Sequence, residues 1–380
     1  MRRLATIRKI DKITPIEGAD KIELAHTGGW QAVVAKHQFI AGDLAVFFEI
    51  DSALPADDER YNFLHDRCLR KWLCGGREVL RVVRIKTMRL RGHISQGLFM
   101  PLEVFDEILA WEKKLTEDTG RRPTFEQYAA LDVTEMLRVK HYDELAEQMG
   151  RITGKARVAG NAKGTFPTHL VPKTDEERLQ NMTDFFDGRM AGVLFEATEK
   201  FDGSSATYIY APEKRPADPF FVCSRNLELK EEDGNLYWDI AHKYNLFDVL
   251  KGYCDLQTLL QGKPIQIAIQ GEIVGPGVNG NRDLYTEHHF RIFRIYDVSK
   301  GEWFPPMERR RFCHITQLPH VRVLRYEYPV FDELKSMEDF LEFVKGKTEN
   351  GNEREGVVWK SVDGRTSFKV INNEYLLKSE

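Results

Sequence analysis

Residues 150–171 divide this 380-residue chain. Gly150, Gly154, Gly160, Gly164 and Pro167 fall there among small and basic residues, with Pro172 just beyond. Such a run has no apolar periodicity to carry a helix or buried strand across it, so it reads as a linker. The hydrophobic pattern on each side must then close its own core. That agrees with roughly 100–200 residues per domain. The expected division is a module over 1–145, a linker over 146–171 and a second domain over 172–380.

Before the linker, short strand-like runs alternate with turns. Ala5-Thr6-Ile7-Arg8-Lys9-Ile10 partly alternates, Gly28-Gly29 precedes Trp30-Gln31-Ala32-Val33-Val34-Ala35, and Ala41-Gly42-Asp43 precedes 44–50. Residues 79–86 add another run. Short strands at this spacing predict a small barrel or sandwich. Leu102, Phe105, Leu109 and Trp111 then approximate helical spacing, and 124–148 reads as helical too, so this part is expected to be an insertion capping the barrel.

Past residue 172 the pattern predicts strands at 193–200, 205–211, 219–224, 265–274, 289–298, 355–360 and 366–371. Helical runs are expected at 230–262 and 332–346. Runs of strands broken by separate helices predict an α+β class with mixed and antiparallel sheets.

Composition bounds the function by exclusion. No apolar stretch approaches the ~20 residues that span a bilayer. The opening Met1-Arg2-Arg3-Leu4 leads into mixed residues rather than a signal-peptide core. The five cysteines include no C-x-x-C pair, which speaks against a zinc site or disulfide framework and for a reducing cytosol. The net charge of −4 carries no global mark of nucleic-acid binding. Residues 67–91 differ: Arg67, Arg70, Lys71, Arg77, Arg81, Arg84, Lys86, Arg89 and Arg91 face one acid, Glu78. That is a local electrostatic footprint, or else a solvated strand face.

The chemistry concentrates at Glu199-Lys200-Phe201-Asp202-Gly203-Ser204-Ser205. A lysine amine is a nucleophile only when neutral, and its reference pKa is about 10.4. Burial and a neighbouring cation both lower that value, and Asp202 is a carboxylate able to hold a hard divalent cation. Gly203 lets the backbone turn sharply. Alone, K-x-D-G is four letters, which a surface lysine before a turn satisfies by chance. It is followed by Cys223-Ser224-Arg225-Asn226, by Gln270-Gly271-Glu272-Ile273, by Phe293-Arg294-Ile295-Tyr296, by Glu355-Gly356-Val357-Val358-Trp359-Lys360 and by Ser367-Phe368-Lys369-Val370. Each places a charged or aromatic residue at a strand end.

In this order the segments resemble the motif series of the covalent nucleotidyltransferases, the superfamily of ATP-dependent ligases and capping enzymes. The resemblance covers about 172–380. It implies that Lys200 attacks the α-phosphate of ATP and carries AMP, while Glu199 helps read adenine. It further implies that Arg225 bonds the ribose and later the phosphate, that Glu272 holds the ribose or a metal, and that Lys369 meets the α-phosphate. Asp202, Glu272 and Glu355 are the implied ligands of Mg2+ or Mn2+. Tyr296 is the implied adenine stacker, with Val358 on the other face. Phe293 is the alternative, and three residues along a regular strand it would face the opposite side.

Ile16-Glu17-Gly18-Ala19-Asp20-Lys21, with Gly29-Trp30-Gln31-Ala32, is similar to OB modules of RNA-handling proteins. Arg89-Leu90-Arg91-Gly92-His93-Ile94, Asp132-Val133-Thr134-Glu135 and Lys173-Thr174-Asp175-Glu176-Glu177-Arg178 resemble the Deinococcus-type RNA ligases, which carry an OB module before the ligase domain. By the same resemblance Arg178 joins the nucleotide-binding set. The expected architecture is thus an N-terminal OB-like β-barrel followed by a nucleotidyltransferase domain. The expected protein is a monomeric, cytoplasmic RNA-repair ligase that seals 3′-hydroxyl and 5′-phosphate ends in nicked RNA or RNA/DNA hybrid duplexes, with no membrane partner. A GTP-dependent capping guanylyltransferase is the rival enzyme, disfavoured because only eleven residues follow Lys369. A catalytically inactive nucleic-acid-binding protein is the rival from another class.

Overall fold

The computed structural model describes residues 3–152 and 161–378. The chain divides into two compact units, residues 1–158 and 159–380. The boundary falls inside the segment expected to be a linker, but 146–171 is not linker throughout. Its start belongs to the helix Tyr142–Ile152. Ala162–Thr165 is a strand paired to Leu227–Leu229, and Phe166, Leu170 and Val171 are buried in the second unit. Gly154 and Gly160 lie outside the described residues. Phe166 and Val171 supply enough apolar surface to order what glycine and proline loosen.

In the first unit the described strands pair as separate sheets. Leu44–Phe48 runs antiparallel between Ala5–Lys9 and Leu98–Pro101. Ile22–Thr27 pairs with Lys12–Pro15 and Trp30–Ala35. A further sheet carries the hairpin Leu69–Cys74/Arg77–Arg84. Alternation along Leu44–Phe48 feeds two cores, with Val46 and Phe48 in one and Ala45 and Phe47 in the other. Trp30 and Phe48 are wholly buried and so are core, whereas Phe63 is exposed. The helices Asp106–Thr119, Phe125–Ala130 and Val133–Met136 cap the first of these cores through Ile108, Tyr128 and Val133. The Thr134 hydroxyl accepts hydrogen bonds from the backbone N–H groups of Leu4 and Ala5 at 3.0 and 3.1 Å. The inserted helical segment therefore closes the unit structurally.

The second unit sets two antiparallel sheets around a cleft. The larger runs, in spatial order, Ala162–Thr165, Leu227–Leu229, Phe220–Ser224, Ser204–Tyr210, Ile267–Val274, His289–Asp297 and Glu302–Trp303. The smaller runs Val323–Tyr328, Phe195–Lys200, Gly356–Ser361, Ser367–Ile371. The helices Leu236–Lys243, Leu246–Gln261 and Pro306–Thr316 pack on the outer face of the larger sheet. Met337–Phe343 packs on the smaller sheet, with Phe340 against Trp359 and Phe368. The chain passes from one sheet to the other at Phe201-Asp202-Gly203, so the K-x-D-G segment is the crossover between them.

Candidate active site

Lys200 ends the central strand Phe195–Lys200, whose other residues are buried, and lines the inter-sheet cleft. Gly203 is required three residues on. A Cβ there would sit 2.2 Å from the carbonyl oxygen of Ile273, closer than any side chain tolerates. Gly356, directly opposite Lys200, is under the same constraint, since its Cβ would meet the Val370 carbonyl at 2.4 Å. These close approaches bring Glu355, which precedes Gly356, onto the lysine. Lys200 Nζ donates to both Glu355 carboxylate oxygens at 2.6 and 2.7 Å.

The electrostatics depart from the sequence expectation. Burial, the strongest single influence on Lys200, pulls its pKa down, but the carboxylates of Glu355 and Glu272 together outweigh it. The pKa is raised, not lowered, so the ligand-free protein holds Lys200 as an ammonium ion. Glu272 receives a hydrogen bond from the Gly203 N–H at 3.1 Å. Burial pushes its carboxyl up to about 7 against the pull of Lys200.

A cleft of about 340 Å³ opens beside Lys200, and it is large enough for a nucleotide. Arg225, just beyond the strand Phe220–Ser224, and Lys369, on Ser367–Ile371, contribute cations to it. Val358 and Phe293 approach it from opposite sheets. Glu199 also lines it, its carboxyl pushed up to about 7 by burial and paired with Arg322 at 3.5 Å. Arg178 is not a lining residue. It is buried and forms a parallel backbone bridge to Lys369, whose ammonium its charge disfavours.

Two further expectations need correction. Tyr296 does not line the cleft. Its ring meets Trp303 edge-on at 4.8 Å and backs the cluster around Phe166 and Ile209. The strand His289–Asp297 shifts register opposite Gln270 and Gly271, which leaves Phe293 as an additional residue in the ladder. At such a bulge the simple alternation of faces fails. Phe293 thus enters the cleft, while Arg294 next to it reaches Glu176 at 3.0 Å. Asp202 also stands outside the cleft. Its oxygens accept from Tyr375 and from Asn279, in a small cavity behind Lys200 that Glu355 also lines. Among the described residues, no three His, Cys, Asp or Glu side chains are grouped to hold a metal ion.

The structure adds residues given no role from sequence. Lys360, two past Val358, is a buried residue of the cleft lining, and burial pushes its ammonium down to about 7 against the pull of Glu176. Glu176 is tied to Arg294 and Ser367. Asp175 bonds Lys369 at 2.9 Å. All three lie in segments that carry the family resemblance, but their roles depend on partners distant in sequence.

An N-terminal OB module ahead of a two-sheet domain with a carboxylate-bound lysine in its cleft defines a ligase-type nucleotidyltransferase. Comparison with known proteins narrows this. A family model described as an OB-fold domain matches residues 4–102, and one described as RNA ligase matches 194–371. The chain is similar to the Naegleria gruberi RNA ligase, solved with pyrophosphate, at 33% identity over 100% of this chain and 99% of that one, with a TM-score of 0.70. A variant of the same ligase, solved with AMP and Mn, matches at 32% identity over 99% of each chain, with a TM-score of 0.71. A search of curated proteins finds no significant match. The chain belongs to the RNA ligase family. No helix among the described residues is long and apolar enough to cross a membrane.

Proposed function

We propose that this RNA ligase uses ATP to join a 3′-hydroxyl to a 5′-phosphate, at nicks in RNA or RNA/DNA hybrid duplexes. The observation that carries the reading is the position of Lys200 in the wall of a nucleotide-sized cleft that Lys369, Arg225, Phe293 and Val358 also line. The relatives solved with ATP and Mn support ATP over GTP. In the first step Lys200 Nζ bonds to the α-phosphorus, the bond to the bridging oxygen breaks, and pyrophosphate leaves. In the second a 5′-phosphate oxygen of the polynucleotide displaces the lysine, giving an AMP-capped end. In the third the 3′-hydroxyl attacks that 5′-phosphorus and AMP departs.

Lys200 must lose its proton first, and Glu355 lies within hydrogen-bond reach of it. Phe293 and Val358 sandwich the adenine, Lys369 and Arg225 neutralise phosphate, and Glu199 and Lys360 lie where the base edge would be read. Glu272 and Glu355 fit a hard divalent ion, because each is a carboxylate whose charge Lys200 balances in the free protein. Magnesium or manganese held there supplies neutralisation of phosphate charge. Asp202, turned to the cavity behind Lys200, orients the lysine turn.

The first unit engages the nucleic acid. The hairpin Leu69–Cys74/Arg77–Arg84 exposes Lys71, Arg77 and Arg81. We take the protein to act as a monomer in the cytoplasm, in keeping with its free cysteines. Sealing assays on nicked duplexes with ribose or deoxyribose on each side of the break test the substrate. Equal rates on all-DNA nicks would refute the RNA preference, and labelling from GTP rather than ATP would refute the nucleotide.

A further inference from the structure

The strap 172–178 crosses the cleft between the sheets. The Gln270 side chain donates to the Pro172 carbonyl at 3.1 Å, and Lys173 donates to Asn226 at 2.8 Å. Glu176 is held by Arg294 at 3.0 and 3.2 Å and by Ser367. The Glu177 carbonyl accepts from the Lys369 backbone N–H at 2.8 Å. Asp175 sits between these anchors and is half exposed. One of its oxygens lies 2.9 Å from Lys369 Nζ and the other 3.8 Å from the Arg225 guanidinium. A carboxylate thus bridges two cations from different sheets, with one oxygen for each, as a phosphate group would.

We propose that Asp175 is a built-in anion that occupies the phosphate position between Lys369 and Arg225, so that nucleotide binds by exchange and Asp175 competes with it. The proposal rests on the reading of Lys369 and Arg225 as phosphate ligands. Two physical consequences follow. In the empty cleft Asp175 spares two like charges from facing each other and keeps Lys369, which burial disfavours as an ammonium, satisfied. When nucleotide arrives, that pair must break, so part of the phosphate's attraction is spent on displacing Asp175. After each turnover the returning carboxylate also helps to expel the phosphate product.

The test is calorimetric binding of AMP to the full chain carrying Asp175→Asn, Asp175→Ala or Lys369→Ala, at low and raised salt. Both Asp175 substitutions should tighten AMP about two- to fivefold at low salt, the range expected of a half-exposed ion pair. The gain should shrink as salt rises, because screening already loosens Asp175 in the parent. A merely structural strap residue would weaken binding and show no such salt dependence. The near-isosteric Asp175→Asn keeps the result readable if the alanine variant is less stable. Unchanged or weaker AMP binding in both Asp175 variants, with binding lost in Lys369→Ala, would overturn the exchange alone. AMP binding unaffected by Lys369→Ala would overturn the phosphate-ligand reading and the exchange with it.

Discussion

Lys200 and Glu355 are 155 residues apart, yet the lysine amine lies 2.6 and 2.7 Å from the two oxygens of that carboxylate. The pair holds Lys200 protonated in the free protein, and adenylation needs it neutral. The rate of Lys200–AMP formation should therefore rise with pH from about pH 6 to 9. Glu355→Gln leaves burial to act more freely on the lysine, so the slower residual reaction should show a profile moved to lower pH. Single-turnover labelling with α-labelled ATP and magnesium measures both. Lys200→Ala should take no acid-labile, base-stable label at all. Label retained in that variant, or an unmoved profile for Glu355→Gln, would contradict the assignment.

Phe293 and Tyr296 separate stacking from packing. Base–aromatic stacking is worth about 1–3 kcal/mol, so Phe293→Ala should raise the ATP KM by roughly tenfold or more. Tyr296→Ala removes a ring that meets Trp303, and should lower Tm with little change in KM. The reverse pattern would place the adenine against Tyr296.

Glu272 links the site to stability. Its folded pKa is raised from 4.5 to about 7 by burial, and Glu199 is raised to about 7 for the same reason. Each group's contribution is full below pH 4.5 and is lost as pH rises through 7, because ionisation inside the protein is then forced. Thermal unfolding of the nucleotide-free protein should show Tm drifting down across that window. Glu272→Gln should roughly halve the drift. A slope identical to the parent's would show that the carboxyl is solvated.

The division of labour is tested by cutting the chain. A start near residue 165 would delete the strand Ala162–Thr165, so the fragment should begin at residue 159. It should still form Lys200–AMP but seal 5′-phosphate nicks much more slowly than the full chain. Its duplex affinity should also depend less on salt, by about 0.9 in log–log slope for each phosphate that is no longer neutralised. Charge removal at Lys71, Arg77 and Arg81 in the full chain should reproduce part of that effect. Sealing at the full-length rate by the fragment would refute the nucleic-acid role of the first unit.

The sequence by itself determined most of the local structure. Apolar alternation placed the strands that became Phe195–Lys200, Ile267–Val274 and Ser367–Ile371, because side-chain period is set locally. The ordered motifs likewise named Lys200, Arg225, Glu272, Glu355 and Lys369. What only the tertiary structure decided were relations across distance and irregularities of register. The bulge opposite Gln270 and Gly271 turned Phe293 into the cleft, and no alternation rule contains a bulge. The charge state of Lys200 could not be read locally, because burial favours the neutral amine while the carboxylates that win, Glu355 and Glu272, lie far along the chain. The strap's hold on Lys369 and the order of residues 162–171 have the same origin: each depends on partners distant in sequence, Lys369 on the smaller sheet for the strap and the Leu227–Leu229 strand with Ile209 and Phe221 of the larger sheet for 162–171.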